Sequence, residues 1–388
     1  MYLFVKRVLE GWIVIPKWKL KRELDRLKVQ AKAIPLMLYE PYVQRRYDAK
    51  LSDHISVTKG NIGNTGSIAI FLIFQASGVS QSVINTCRHL VQAGFSPVVI
   101  SNGILSITDL KTLANSAHLV AERPNFGYDF GGYRDGLWLL NEKKIVPDEI
   151  LFLNDSVWFP VWPQSDMLAE MQTSEGAYIG TQVFGDTSST AKKRGIFGSY
   201  CFLIKAPLIK HVNFKEFWSQ YKLSSNKEVT LRRGERAFSH LMLESADVSN
   251  ALYSKDRFER VVSELKGEDL RYAVQDFVAL DPKLDIIRRD LMGQRSSVGW
   301  EETAKNLFLE GTRTKNYIGA APVLSLTKLK FPMIKKNNER LYTLARSRIN
   351  VALKEGRLPG LDPIIASELT QKVDLAGSTP ENQNPFLC

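Results

Sequence analysis

The chain has 388 residues, 44% of them hydrophobic and 24% charged, a composition typical of globular proteins. Its three cysteines, Cys87, Cys201 and Cys388, lie far apart, which argues against a disulfide framework and a paired-cysteine metal site and favours a reducing, cytoplasmic setting. No run of about 20 apolar residues predicts a transmembrane helix, and the N-terminal segment lacks the features of a signal peptide.

The net charge of +11 is concentrated in the first fifty residues. Within this basic arm, apolar residues recur at helical spacing in Trp18, Leu20, Leu24, Leu27 and Ala31. A helix with this pattern fits an anionic membrane surface, or equally a solvated helix packed on the domain. No nucleic-acid-binding motif accompanies the basic residues, so nucleic acid is not an expected partner.

Changes in composition predict three segments. Residues 1–66 form a basic amphipathic arm and a linker, the latter turn-rich from Leu51 to Ser67. Residues 67–350 form the folded domain, with one half at about 67–200 and the other at about 200–350. Residues 351–388 are expected to form a C-terminal helix followed by a disordered tail.

Strands alternate with helices through the first half of the domain. Apolar runs at 68–74, 97–100, 117–121 and 149–153 predict buried strands, and helical spacing appears at 83–91 and 107–114. This alternation predicts an α/β fold of Rossmann type, with a mostly parallel sheet flanked by helices, and a more helical C-terminal part. Further strands are expected at 176–181 and 199–204.

Two polar clusters follow predicted strands and stand out as candidates for a ligand site. The first runs from Asn125 to Gly132 and is predicted to be a glycine-rich turn leading into a helix. The second is Asn154-Asp155-Ser156, directly after the strand that ends at Leu153. Because loops at the carboxyl ends of parallel strands share one edge of the sheet, both clusters are expected to face one ligand.

The chemistry of these clusters is that of oxygen donors. Asp129 and Asp155 are carboxylates of the kind that hold Mg²⁺ or Mn²⁺ together with substrate phosphates. Turn formation and helix capping are ordinary alternative roles for Asn125 and Asp129. No Ser-His-Asp pattern accompanies them, so acyl transfer is not predicted.

The second half of the domain contributes further charged residues. Glu235 lies at the predicted start of a helix, where an acid also fits the helix dipole. The segment 321–350 is basic and is a second candidate face for an anionic partner. Lys192, Lys193 and Arg194 lie in a predicted surface loop that could approach phosphates or simply be solvated.

The motif NFGYDFGGYRDGL at residues 125–137, followed by ILFLNDSVWFP at 150–160, resembles the paired signature of the rhamnan synthesis protein F family of glycosyltransferases. The order of elements from Ile68 to Arg340 is also similar to that family. The basic arm and the C-terminal tail lie outside the resemblance.

The resemblance implies a GT-A-like enzyme that transfers L-rhamnose or a related deoxyhexose, by inverting displacement, from a nucleotide sugar such as dTDP-rhamnose to a lipid-linked polysaccharide, as in lipopolysaccharide O-antigen synthesis. The cysteine content and the basic arm, rather than the resemblance, favour a cytoplasmic enzyme that lies peripherally on the inner face of the cell membrane, with the basic arm as the membrane contact. Glu235 is the expected catalytic base, with Asp129 or Asp155 as alternatives. Donor-binding residues are expected at Gln75, Gly78, Asn125, Gly127, Asp129, Arg134, Asn154, Asp155 and Ser156.

The sequence departs from the GT-A pattern at one important position. Asn154-Asp155-Ser156 stands where a D-x-D motif would hold the metal, so Asp155 is the one carboxylate left there for Mg²⁺ or Mn²⁺. Without a metal, Lys, Arg or backbone N–H groups would have to meet the diphosphate. Two other classes remain open: a non-catalytic peripheral membrane protein that binds a nucleotide or polysaccharide, and a metal-dependent phosphohydrolase.

Overall fold

The computed structural model describes residue 35 and residues 38–184, 195–294, 298–313 and 316–377. The basic helix predicted within residues 1–34, the loop cations Lys192, Lys193 and Arg194, and the tail from 378 onward lie outside the described residues.

The strands, in chain order, are β1 (Ser56–Lys59), β2 (Ser67–Ile73), β3 (Ser96–Ser101), β4 (Leu119–Glu122), β5 (Glu149–Asn154), β6 (Val157–Trp158), β7 (Tyr178–Gly180), β8 (Val183–Phe184), β9 (Ile196–Phe197), β10 (Cys201–Lys205), β11 (Ser249–Ala251) and β12 (Ile334–Lys335).

The helices of the first half are α1 (38–48), α2 (Leu51–His54), α3 (Gln81–Gln92), α4 (Ile107–Ala114), α5 (Tyr128–Glu142) and α6 (Met167–Thr173). Those of the second half are α7 (Ala206–Ile209), α8 (Val212–Gln220), α9 (Lys227–Thr230), α10 (Ala237–Ser245), α11 (Lys255–Glu264), α12 (Gly267–Asp276), α13 (Pro282–Gly293), α14 (Val298–Thr312), α15 (Tyr317–Ala320), α16 (Pro322–Thr327), α17 (Arg340–Lys354) and α18 (Pro363–Gly377). A π-helix, Leu231–Arg236, joins α9 to α10.

Eight strands form one mixed sheet in the order β1-β4-β3-β2-β5-β10-β7-β11. The central strands β4, β3, β2 and β5 are parallel, while β10 pairs antiparallel with both β5 and β7. The predicted mostly parallel sheet flanked by helices is thereby confirmed. The central strands are short apolar runs buried on both faces, as parallel strands require.

One face of the sheet packs against an aromatic cluster. Phe130 of α5 contacts the rings of Trp218, Tyr221 and Phe238, which come from the second half of the chain. Phe152 of β5 stacks on Trp218 at 6.0 Å between ring centroids. These contacts bind the two halves of the chain into one core, beside the end of β5.

Helix α5 begins at Tyr128, earlier than the predicted glycine-rich turn would allow, so Gly131 and Gly132 lie within it. A Cβ atom on Gly132 would come within 2.3 Å of Leu72 Cδ1. Gly132 therefore lets the helix approach strand β2 closely, while Gly131 makes room for the Phe126 carbonyl, where a Cβ would lie 2.1 Å from the oxygen.

The segment predicted as a linker, from Leu51 to Ser67, contains α2 and the edge strand β1. Strand β1 pairs antiparallel with β4, and Tyr47, Leu51 and Ile55 are buried in the core on one face of the sheet. The strand was not predicted because turn residues surround it and because four residues are too few to show a clear alternation of apolar and polar side chains.

The C-terminal helices α17 and α18 form a separate apolar cluster with Trp158 and Ile334. The predicted boundary at residue 350 falls inside α17. Among the described residues, no helix is both long and apolar enough to cross a membrane.

Candidate functional site

The carboxyl ends of β2 and β5 lie side by side, since Leu72 pairs with Asn154 in the parallel register. The next residue, Asp155, donates its backbone N–H to the Leu72 carbonyl at 3.0 Å. Its Oδ2 accepts hydrogen bonds from the Phe74 N–H at 2.9 Å and from Gln75 Nε2 at 2.6 Å. The structure therefore brings Gln75 and Asp155 together at the sheet edge where a ligand was expected.

A side-chain hydrogen bond links the two motifs that the sequence singled out. Asn154 Nδ2 donates to Asp129 Oδ2 at 2.9 Å. Asn154 Oδ1 accepts from both the N–H and the hydroxyl of Ser156, at 3.1 and 2.6 Å. Asn154 is buried and thus orients Asp129 and Ser156 around the end of β5.

Gly127 shapes the entry to helix α5. Its φ of +85° is one that glycine adopts readily, and a Cβ there would lie 2.6 Å from Leu223 Cδ2. The next residue, Tyr128, has a φ of 51° and donates its hydroxyl to the Ser225 carbonyl at 3.1 Å. Asn125, just before this turn, is exposed. The turn thus adjoins the 221–226 segment of the second half.

Glu235 reaches the same region from the π-helix. Its Oε1 accepts one long hydrogen bond, 3.3 Å from the Ser199 N–H. The neighbouring Gly234 packs against Phe130, where a Cβ would lie 2.6 Å from the ring. Pi-helical turns inside α-helices occur frequently at functional sites. Among the described residues no other hydrogen bond to the Glu235 carboxylate occurs, so a ligand hydroxyl could donate to it.

Two lysines complete the charged cluster, and they come from the other end of the chain. Strand β12 pairs with β6, so that Lys335 lies opposite Val157 and Ile334 opposite Trp158. Lys335 Nζ lies 3.4 Å from the centroid of the Tyr200 ring, and the Lys336 backbone N–H donates to the Ser156 carbonyl at 2.8 Å. The sequence had placed both lysines in a basic face but had given them no part in the site.

The electrostatics of the two aspartates are unusual. Burial, with the charge of Asp155 next in importance, raises the pKa of Asp129 to about 6, although Lys335 opposes the shift. Burial also raises the pKa of Asp155, against the hydrogen bonds from Gln75 and Phe74. Both carboxylates are therefore costly to ionise until a cation or proton donor meets them.

The pKa values of the two lysines shift downward, whereas those of the aspartates shift upward. Burial lowers the pKa of Lys335 to about 8, although Glu235 and Asp129 favour its charged form. Burial also lowers the pKa of Lys336, opposed by Asp155 and Glu368. Perturbed groups of both signs at the end of a parallel strand are characteristic of a functional site.

Other predicted donor residues have different surroundings. Gly78 is exposed in the loop between β2 and α3, with a φ of +97°. Arg134 pairs with Asp48 at 2.6 Å and with Asp135 at 3.1 Å, and so belongs to a network beneath α1. A donor contact by either residue stays a prediction.

The oxygen donors at the end of β5 bear on the predicted metal role of Asp155. Within the described ranges, no three His, Cys, Asp or Glu side chains are grouped to hold an ion. Asp155 already accepts two hydrogen bonds on Oδ2, and Asp129 is held by Asn154. The predicted Mg²⁺ or Mn²⁺ ligand role of Asp155, with Asp129 close to it, stays a prediction.

Residues 97–248 match the family model of rhamnan synthesis protein F, RgpF. The resemblance read from the paired motif is confirmed over this stretch, which includes Asp129, Asp155 and Glu235. Lys335 and Lys336 lie outside it. The match supports a glycosyltransferase in general.

Two further proteins are similar to this chain. An uncharacterized protein of Sinorhizobium fredii strain NBRC 101917 / NGR234, y4gN, is 26% identical over 353 residues, covering 90% of this chain and 91% of the relative. The mannosyltransferase PcManGT from Pyrobaculum calidifontis, solved in complex with GDP-Man and Mn²⁺, is 11% identical, with a TM-score of 0.28, over 89% of this chain and 97% of its own. We draw no conclusion from a structural likeness at that TM-score.

Proposed function

We propose that this protein is a glycosyltransferase that moves a sugar from a nucleotide-diphospho-sugar to a glycan acceptor. One observation carries the proposal: Asp129, Asp155 and Glu235 converge with Lys335 and Lys336 at the carboxyl end of β5. Carboxylates can take the proton of an acceptor hydroxyl, and cations can meet a departing diphosphate, so the cluster contains both halves of a transfer reaction.

The reaction we propose is a single displacement with inversion. The acceptor hydroxyl oxygen forms a bond to the anomeric carbon of the donor while the bond from that carbon to the diphosphate oxygen breaks. The hydroxyl proton passes to the base, and the electron pair of the broken bond leaves with the diphosphate.

We assign the base to Glu235. Its carboxylate has one hydrogen bond, at 3.3 Å, whereas Asp155 holds two shorter bonds and Asp129 is bound to Asn154. A general base must have a free lone pair within reach of the proton it removes. Asp129, Asn154 and Ser156 then line the donor side, together with Gln75 and Gly127.

The sugar, its donor and the acceptor that we propose follow the description of the family. We propose L-rhamnose or a related deoxyhexose, from a donor such as dTDP-rhamnose, as the transferred sugar, and a lipid-linked polysaccharide as the acceptor. The support is the match to a rhamnan synthesis family over residues 97–248.

We also propose that the protein works on the inner face of the cell membrane. Helix α1 supports this, because Leu38, Tyr39 and Tyr42 are 78%, 58% and 54% exposed and lie beside the exposed Arg45 and Arg46. Aromatic and basic side chains on one helix suit a membrane interface with anionic lipids.

The same helix is anchored next to the site. Gln44 exchanges hydrogen bonds with the backbone of Tyr221 and Leu223, each at 3.0 Å, and Leu223 lies against Gly127. A membrane bound at α1 would therefore lie close to the entry of α5, where a lipid-linked acceptor has to arrive.

The test is turnover. The purified protein is incubated with a panel of radiolabelled nucleotide sugars and a lipid-linked glycan extract, and labelled lipid and released nucleoside diphosphate are measured. We expect both products from one donor, and a loss of about 10²- to 10⁴-fold in Glu235→Gln, the usual contribution of a general base. Glu244→Gln, on the following helix, serves as control.

Two results would refute the proposal. Unchanged turnover in Glu235→Gln would remove the base assignment. Donor binding without any transfer would favour the alternative, a non-catalytic membrane protein that binds nucleotide or polysaccharide.

A further inference from the structure

Strand β12 brings two adjacent lysines back to the sheet edge from a point far along the chain. Its antiparallel pairing with β6 places Lys335 opposite Val157, two residues after Asp155. The backbone bond from the Lys336 N–H to the Ser156 carbonyl, at 2.8 Å, continues this pairing. The positions of both lysines are thus fixed by backbone contacts with the loop that carries Asp155.

Each of the two ammonium groups lies over an aromatic ring. Lys335 Nζ is 3.4 Å from the ring centroid of Tyr200, and Lys336 Nζ is 5.3 Å from that of Trp158. Both rings are buried, at 3% exposure, and hold the lysine stems in place. No salt bridge within 4.0 Å ties either ammonium among the described residues, although Asp129, Glu235 and Asp155 lie near enough to affect them. Their hydrogen-bonding capacity is therefore available to a ligand.

An anionic ligand needs these charges. Three carboxylates at the site would repel a diphosphate, so cationic groups have to offset their charge. Two ammonium groups on neighbouring residues supply up to six N–H donors, which suit the oxygens of a diphosphate.

We propose that Lys335 and Lys336 form the diphosphate-binding site, and that they take the place a divalent cation would have between Asp155 and the phosphates. This inference rests on the proposed function, since a nucleotide sugar is the ligand that would bring the diphosphate. The lysines hold the two phosphates in the ground state and neutralise the charge that develops on the leaving oxygen as the glycosidic bond breaks.

The test uses inorganic pyrophosphate as the probe, in EDTA, with binding measured by titration calorimetry. Lys335→Met and Lys336→Met keep most of the aliphatic stem against Tyr200 and Trp158 and remove the charge. Each is expected to weaken binding about 10- to 100-fold, as befits the loss of a charge-assisted hydrogen bond. Lys335→Arg and Lys336→Arg, which keep the charge, should recover part of the affinity.

The matched control is Lys354→Met, at an exposed position at the end of α17, which should bind pyrophosphate like the wild type. The unfolding midpoint of each variant without ligand shows that it is folded. Should Lys335→Met not fold, Lys336→Met alone decides the question, because Lys336 is the lysine coupled to Asp155.

Two outcomes would overturn the inference: wild-type protein that binds pyrophosphate only when Mg²⁺ or Mn²⁺ replaces EDTA, and lysine variants that bind as tightly as the wild type. Failure of the proposed function looks different. In that case the lysine-dependent binding of pyrophosphate persists in EDTA, but no nucleotide sugar is turned over.

Discussion

Helix α5 carries two aspartates, Asp129 and Asp135, in contrasting surroundings. Asp135 is 1% exposed and accepts hydrogen bonds from the Tyr47 hydroxyl and from Arg123 Nε, both at 2.6 Å, and from Arg134 Nε at 3.1 Å. Asp129, near the N-terminus of the helix, accepts a hydrogen bond from one side chain among the described residues, that of Asn154, and lies close to two other carboxylates.

The contrast separates a charge with matched partners from one to which we assign a functional role. The hydrogen bonds from Tyr47, Arg123 and Arg134 compensate the cost of burying the Asp135 carboxylate. Through these bonds, Asp135 links α1, α5 and the end of β4. Asp129 is half-buried with fewer partners, and the partial loss of hydration raises its pKa to about 6. Protein interiors rarely keep such a group without a use for it.

The largest change in the free energy of unfolding is expected when the hydrogen-bond network around Asp135 is broken. Arg123→Met removes the fully buried cation that pairs with Asp135 at 2.6 Å and leaves that carboxylate with Tyr47 and the more distant Arg134. It also removes the bonds to Asn102 at 2.5 Å and to the Phe126 carbonyl at 2.6 Å. We expect a loss of about 3–5 kcal/mol in the free energy of unfolding, measured by urea denaturation. Arg88→Met, at an exposed site on α3, is the control, and an equal effect in both would contradict this account.

A smaller loss is expected when one donor of the same network is removed. Tyr47→Phe deletes the 2.6 Å bond to Asp135 and keeps the ring packed against Arg123 and Phe126. The expected loss is about 1.5–3 kcal/mol, the range for a hydrogen bond to a charged group. Tyr42→Phe, on the exposed face of the same helix, should change the free energy of unfolding little.

Replacing Asp129 is expected to raise the free energy of unfolding rather than lower it. Its pKa is raised in the folded protein, so the ionised carboxylate destabilises the fold; the penalty is complete above about pH 6 and absent below the unfolded value of 3.8. Asp129→Asn should therefore stabilise the protein by about 1–2 kcal/mol at pH 8, and the gain should vanish toward pH 4.

The measurement is the unfolding free energy of Asp129→Asn at pH 4, 6 and 8, with Asp290→Asn, at an exposed position on α13, as control. A destabilised variant at pH 8 would place Asp129 in the structural class with Asp135. A stabilised variant with reduced turnover is the pattern of an active-site residue.

The smallest effect is a pH dependence of pyrophosphate affinity. Lys335 has a pKa of about 8 and faces Glu235, Asp129, Glu339 and Cys201. Because only its charged form attracts the anion, affinity should fall by up to about tenfold between pH 7 and pH 9. Lys335→Met should lose this decline, and an unchanged decline in that variant would assign it to another group.

The local part of this structure could be predicted from the sequence. The strands β2, β3 and β5 are unbroken apolar runs, α4 matches its predicted bounds, and Asn154-Asp155-Ser156 lies at the end of β5 as expected. These features depend on neighbours in the sequence, where periodicity and strand-end position carry the information.

The remainder depends on distant contacts. The site role of Lys335 and Lys336 follows from the pairing of two-residue strands β12 and β6, which leave no periodic signal. The pairing of Arg134 with Asp48 depends on the docking of α1, in a region predicted as an arm and linker. The π-helix around Glu235 lies where Gly234 closely approaches Phe130, a residue distant in the sequence.

The most direct test of the central claim is thermal unfolding of the wild-type protein with UDP-, GDP-, dTDP- and CMP-linked sugars, each in EDTA and in Mn²⁺. A donor at about 100 times its dissociation constant should add about 2.7 kcal/mol to the stability of the folded state. We predict a clear rise in midpoint with one nucleotide sugar, already present in EDTA. No rise with any of these donors, with or without Mn²⁺, would contradict the assignment of this site to nucleotide-sugar chemistry.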